Sequence, residues 1–200
     1  MTRRCLLLAG IAGLAVLLTG QAWACVGRFL FVGTVDTPQG RVLAELVAQL
    51  INERTGTTVK IRFFDDRAKL YQALRSANEE ERADILVEDT ASAMAMLKQE
   101  RLPEANAEYL AAKEAYEKEL GLVWLNPFGF RSAQEGGPTT VSAPVLRQDV
   151  LANFPLLPRV LNKLAGAIDD AAFAGLVGEV QSGNKPNNVA RDWLRAKKLI

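Results

Sequence analysis

The stretch Arg28-Phe29-Leu30-Phe31-Val32-Gly33-Thr34-Val35-Asp36-Thr37-Pro38, with the helical pattern that follows it to Glu53, decides the fold. Phe29 to Val32 form a continuous apolar run, as in a strand covered on both faces. Gly33 breaks the run. Either Asp36 or Thr37 is placed to cap a helix that Pro38 begins. Val42, Leu43, Leu46, Val47, Leu50 and Ile51 then share one stripe, while Arg41, Glu45, Gln49 and Glu53 share the other. This is the first half of a βαβ unit, and it puts Thr34, Asp36 and Thr37 at the carboxyl end of a central strand, where open α/β sheets take ligands.

The next units repeat the pattern. Gly56 suits the end of the first helix. Val59, Ile61 and Phe63 alternate with Lys60 and Arg62, a strand with one wet face nearer an edge. Asp65-Asp66 caps a second helix with Leu70, Ala73, Leu74 and Ala77 at helical spacing, and Glu79-Glu80-Glu81-Arg82 reads as its solvated end. Ile85-Leu86-Val87 is short, apolar and therefore central, and Glu88-Asp89-Thr90 opens a third helix, Ala91 to Gln99. Two right-handed crossovers give a parallel sheet of order 2-1-3. The Asp36 turn and the Glu88-Asp89-Thr90 turn then lie side by side at the topological switch point. Met94 and Met96, two apart, fall on different sides of their helix and read as packing.

Composition narrows the function. Residues 1–24 carry Arg3 and Arg4, an apolar run from Leu6 to Leu18 and the small-x-small end Ala22-Trp23-Ala24, a secretory signal peptide whose apolar core is short for a membrane span. Cleavage there makes Cys25 the first mature residue, a position that admits a lipid anchor. The chain's formal charge of +1 becomes −1 once Arg3 and Arg4 leave, so neither nucleic acid nor a polybasic membrane contact is implied. Cys5 leaves too, which rules out an intramolecular disulfide. The chain has no histidine, which removes Ser-His-Asp and Cys-His catalysis and His-type zinc sites. No cofactor or metal set is legible, and consecutive acids such as Glu79-Glu80-Glu81 do not converge on a helix.

Beyond Pro103 the pattern predicts a longer helix, Glu104 to Leu120, stopped by Gly121. Leu122-Val123-Trp124-Leu125 is a further strand, and Asn126-Pro127-Phe128-Gly129-Phe130 leaves it as a loop. Phe128 there is a ligand candidate; plugging the core is the other reading of both phenylalanines. Gly136-Gly137-Pro138 is the least structured stretch. Thr139-Thr140-Val141 admits a short strand, after which Ala143 to Ala165 reads helical with breaks at Pro155 and Pro158. Asp169-Asp170 and Lys185-Pro186 start two more helices. Val189, Ala190, Trp193 and Leu194 form the inner face of the last one.

These residues together resemble the substrate-binding proteins of glycine betaine, choline and carnitine ABC importers, type II periplasmic binding proteins. The matching stretches are Val32-Gly33-Thr34 with Glu45, Leu46, Gln49 and Leu50, then Glu53-Arg54-Thr55-Gly56. Gly121 to Pro127, Ala143 to Val150 and Leu164-Ala165-Gly166 follow, and Gly183-Asn184-Lys185-Pro186 with Val189-Ala190 and Trp193-Leu194 completes the set. The resemblance implies two lobes, the second entered after the Trp124–Phe130 region and left near Thr139–Pro144. Here only Arg131 to Pro138 stand in that place, too short to build a domain. The expected architecture for residues 25–200 is therefore one α/β lobe with a helical C-terminal segment. The resemblance also implies an aromatic cage for a quaternary ammonium, yet Thr37 and Asp89 occupy the positions of two cage aromatics.

Three functions follow from this reading. The first is an exported solute-binding-type protein, a half-receptor needing a partner or a homodimer to complete its cleft around a small cationic or zwitterionic solute, and serving an ABC permease and ATPase. Its site residues are Thr34, Asp36, Thr37, Glu88, Asp89, Thr90 and Phe128. The second is a protein-interaction module in which the lost lobe uncovers Phe128 and Phe130. An enzyme built on a Glu88–Asp36 carboxylate pair is the third, and helix capping accounts for the same residues without it.

Overall fold

A computed structural model describes residues 29–133 and 138–200; the signal-peptide reading, Cys25 and residues 134–137 lie outside them. β1 (Leu30–Val35), α1 (Pro38–Thr55), β2 (Val59–Phe64), α2 (Arg67–Arg75), β3 (Ile85–Asp89) and α3 (Thr90–Leu97) make the two crossovers. α4 (Ala105–Ala115) runs into a π-helical turn, Tyr116–Leu120, before β4 (Leu122–Trp124). β5 (Arg131–Ala133) and β6 (Thr139–Arg147) follow. The chain ends in four helices, α5 (Gln148–Asn153), α6 (Leu157–Leu161), α7 (Asp170–Gln181) and α8 (Pro186–Ala196).

The sheet order is β2-β1-β3-β6-β4, with β5 paired to the start of β6. β1 is parallel to β2 and β3, as the 2-1-3 reading expects. β6 is inserted antiparallel between β3 and β4. Four of the five main strands therefore run one way, and β2 is an edge. Because β2 and β3 lie on opposite sides of β1, right-handed connections put α1 and α2 on opposite faces. One core lies against α1 and the C-terminal helices, built around Leu30, Val32, Leu46, Leu50, Ile85 and Leu146. The other lies against α2 to α4, around Leu70, Leu86, Tyr116 and Trp124.

Two readings need correction. Ala143 to Arg147 is not helical: it continues the strand begun at Thr139, so β6 has nine residues. Pro144 is tolerated because a residue's N–H and C=O point to the same side of a strand. Its carbonyl accepts from Leu125 N at 2.9 Å, so the donor it lacks faces the chain beyond β4 and no bond to β3 is lost. The second helix stops at Arg75, so Glu79-Glu80-Glu81 form an exposed turn beyond its end.

Local chemistry sets the edges of the site. Thr37, not Asp36, caps α1, accepting from Gly40 N at 3.0 Å. Gly33 is needed where α2 crosses the sheet, since a Cβ there would collide with Leu70 and Ala83. β3 is anchored at its start by Asp84, which accepts from Phe31 N at 2.9 Å and pairs with Arg82 at 3.1 Å.

Candidate ligand cleft

A cleft of about 320 Å³ opens at the carboxyl ends of β1 and β3, the switch point of the sheet. Its near side is Thr34, Thr37 and Gly40 at the β1–α1 turn. Its floor is Val87, Glu88 and Asp89 with Ser92 of α3, and Arg67 enters from α2. Thr140 and Ser142 of β6 and the rings of Phe130 and Phe173 also line it.

Strand alternation explains the strongest feature. Ile85 and Val87 point to the α1 face, so Leu86 and Glu88 point to the α2–α4 face, where Glu88 is wholly buried. Glu88 Oε1 accepts from Arg67 and, at 3.1 Å, from Asp89 N; Oε2 accepts from the Tyr71 hydroxyl, which meets the Tyr116 hydroxyl. Arg67 also donates to Asp89 Oδ2 at 3.0 Å. Burial pushes Glu88 up to about 7, against the opposing pull of Arg67. Burial and the facing carboxylate push Tyr71 and Tyr116 upward as well, so both stay neutral donors. Asp89 caps α3, accepting from Ser92 N and Ser92 Oγ at 2.8 Å each.

Of the residues expected at the site, Thr34, Thr37, Glu88 and Asp89 line the cleft. Asp36, Thr90 and Phe128 do not. Asp36 turns outward to a bidentate pair with Arg41, at 2.5 and 2.9 Å, whose hydrogen bond holds its carboxyl below the usual range. Thr90 is buried, accepting from Val141 N at 3.4 Å and facing Glu108. Burial works to raise Glu108. Its bonds from Arg101 at 2.7 Å and Leu102 N at 2.8 Å, with Thr90, outweigh that and leave it lowered.

Phe128 is 1% exposed and stacks on Phe130, itself 2% exposed. The uncovered apolar patch expected at these two rings is therefore absent, because Phe173 of α7 lies over Phe130 at 3.9 Å between centroids, 12° from parallel. Gly129 between them, at φ 123°, lets the chain turn so that Phe130 reaches the cleft and Phe128 stays inside. The sequence reading missed Arg67, Phe173, Ser92, Thr140 and Ser142. Only Arg67 carried a signal, a cation at the first position of a helix, where the dipole disfavours it.

An open, largely parallel sheet with a ligand-sized cleft at its switch point is the arrangement in which α/β proteins take small ligands. The family of the substrate binding domain of ABC-type glycine betaine transport systems matches residues 30–136 and 134–196, and the chain belongs to it. That family binds and delivers transport substrates and is not a family of enzymes. No curated protein sequence matches the chain. Among solved structures, a glycine betaine/carnitine/choline ABC transporter protein is similar with a TM-score of 0.75 at 13% identity, over 86% of this chain and 98% of that one. Apo YehZ from Escherichia coli is similar with a TM-score of 0.69 at 14% identity, over 86% and 99%. Lactococcal OpuAC, in its closed form with glycine betaine, gives 0.51 at 11% identity, over 86% and 96%.

Proposed function

We propose that this chain is an exported solute-binding-type protein that supplies one wall of a receptor cleft, works with an ABC permease and ATPase, and needs a second wall from a partner or a second copy. The single observation that carries the reading is the β5–β6 hairpin. Arg131 pairs with Val141 and Ala133 with Thr139, so β5 and β6 lie side by side on either side of the point where a second lobe would be inserted. The family match divides in the same place, its two segments meeting at residues 134–136. The described strands of the main sheet run in the single order β2-β1-β3-β6-β4, which supports a one-lobe reading, and among the described residues no helix is long and apolar enough to cross a membrane. The signal-type N-terminus fits export, with Cys25 available for a lipid anchor.

Small-ligand sites bury most of the ligand, and a single wall does not. The solute class is a small zwitterion or cation, drawn by Glu88 and Asp89 and resting on the ring of Phe173. Light scattering of the mature chain, paired with calorimetry against glycine betaine, carnitine and choline, tests this. Ligand heat that appears with dimer formation is the expected result. A chain that stays monomeric and gives no heat with any of the three sinks the reading.

A further inference from the structure

Among the described residues, Arg67 is the one cation that pairs with the carboxylates at the end of β3, and it does so from the lining of the cleft. It is the first residue of α2, where the helix dipole disfavours a cation, and its guanidinium spans Glu88 and Asp89. Every other group on Glu88 is fixed: Tyr71 belongs to the second core, Tyr116 closes behind it, and Asp89 N is backbone. Arg67 differs, because 44% of its side chain is exposed while Glu88 has 0%. It can leave without opening the core.

We infer that Arg67 is a tethered occupant of the cleft's cation site and decides which cations the cleft admits. A free cation reaches Glu88 and Asp89 only by displacing the guanidinium. A tethered group competes at the high effective concentration its short linker imposes, so the wild-type cleft turns away cations that bring no contact beyond the two carboxylates. A cation-accepting site becomes available when the tether is removed. This rests on the cleft being the binding site, but it does not depend on a second wall or on any transported solute.

The test is thermal unfolding of the mature chain at pH 8 with methylguanidinium chloride, against sodium chloride at equal ionic strength. Arg67→Ala leaves Glu88 buried without its counter-charge and should melt below the wild type. Methylguanidinium should restore it saturably, by roughly 3 to 6 °C at ten times its dissociation constant. The wild type and the double variant Arg67→Ala/Glu88→Gln should respond no more than to salt.

If Arg67→Ala folds only when methylguanidinium is present, that supports the inference equally. An Arg67→Ala chain that methylguanidinium leaves unchanged overturns it, as does a wild type that responds as strongly as the variant. Failure of Arg67→Ala to fold with methylguanidinium, while the double variant folds, also overturns it. Since methylguanidinium is not one of the solutes proposed for transport, absence of betaine binding would count against the half-receptor reading and leave this result standing.

Discussion

Glu88 concentrates the electrostatics of the cleft. Its carboxyl is raised from 4.5 to about 7 by burial, so the folded chain holds a proton that the unfolded chain has released between those values. Stability from this group is thus fully present below about 4.5 and falls as pH rises through 7. Urea unfolding of wild type and Glu88→Gln from pH 4.5 to 8 checks this. The variant should gain roughly 2–3 kcal/mol on the wild type across that window, and parallel curves would refute it. Asp36 contributes nothing comparable, since it is exposed. Phe130 and Phe173 separate by burial: Phe130→Ala should cost about 3–4 kcal/mol, whereas Phe173→Ala, half-buried at the cleft, should cost markedly less, both read from denaturant midpoints. Thr37 and Asp89 were legible as turn residues because capping is local chemistry. Arg67 and Phe173 were not, because helices distant in sequence bring them to the cleft.

At the scale of elements, the glycine at 33 and the cap at 37 hold the β1–α1 turn in place. Gly33→Ala forces Leu70 and Ala83 away from β1 and should destabilise by about 1–3 kcal/mol, measurable as a lowered melting temperature. Thr37→Ala removes one bond to Gly40 N and should cost about 1 kcal/mol. The first three strands and four helices could be read from periodicity and caps, because each signal lies within one turn or one strand. β6 could not. Ala143-Pro144-Val145-Leu146 carries no alternation, since both of its faces are buried, and an apolar run of that kind does not distinguish a strand from a helix. Only the unpaired edges of β3 and β4 on either side of it decide the matter.

The whole molecule is two cores divided by one sheet, with α8 closing the first. Val189, Ala190 and Leu194 are buried on the side of α1, and Gln49 donates to Asn187 O at 2.7 Å across that contact. Since both cores share β1, β3 and β6, unfolding should be one cooperative transition, with calorimetric and van't Hoff enthalpies equal. Two resolved transitions would mean that residues 25–200 are not one lobe. What the sequence by itself determined is the parallel order 2-1-3, the turns at the ends of β1 and β3, and the shortness of the Arg131–Pro138 connection. Each of these is set by neighbours along the chain and by the handedness of crossovers. Tertiary structure alone decided that β6 runs between β3 and β4, that Phe130 rather than Phe128 reaches the cleft, and that Arg67 sits on Glu88. Those outcomes depend on which surfaces remain to be covered once the first three strands have paired, and no local pattern encodes that.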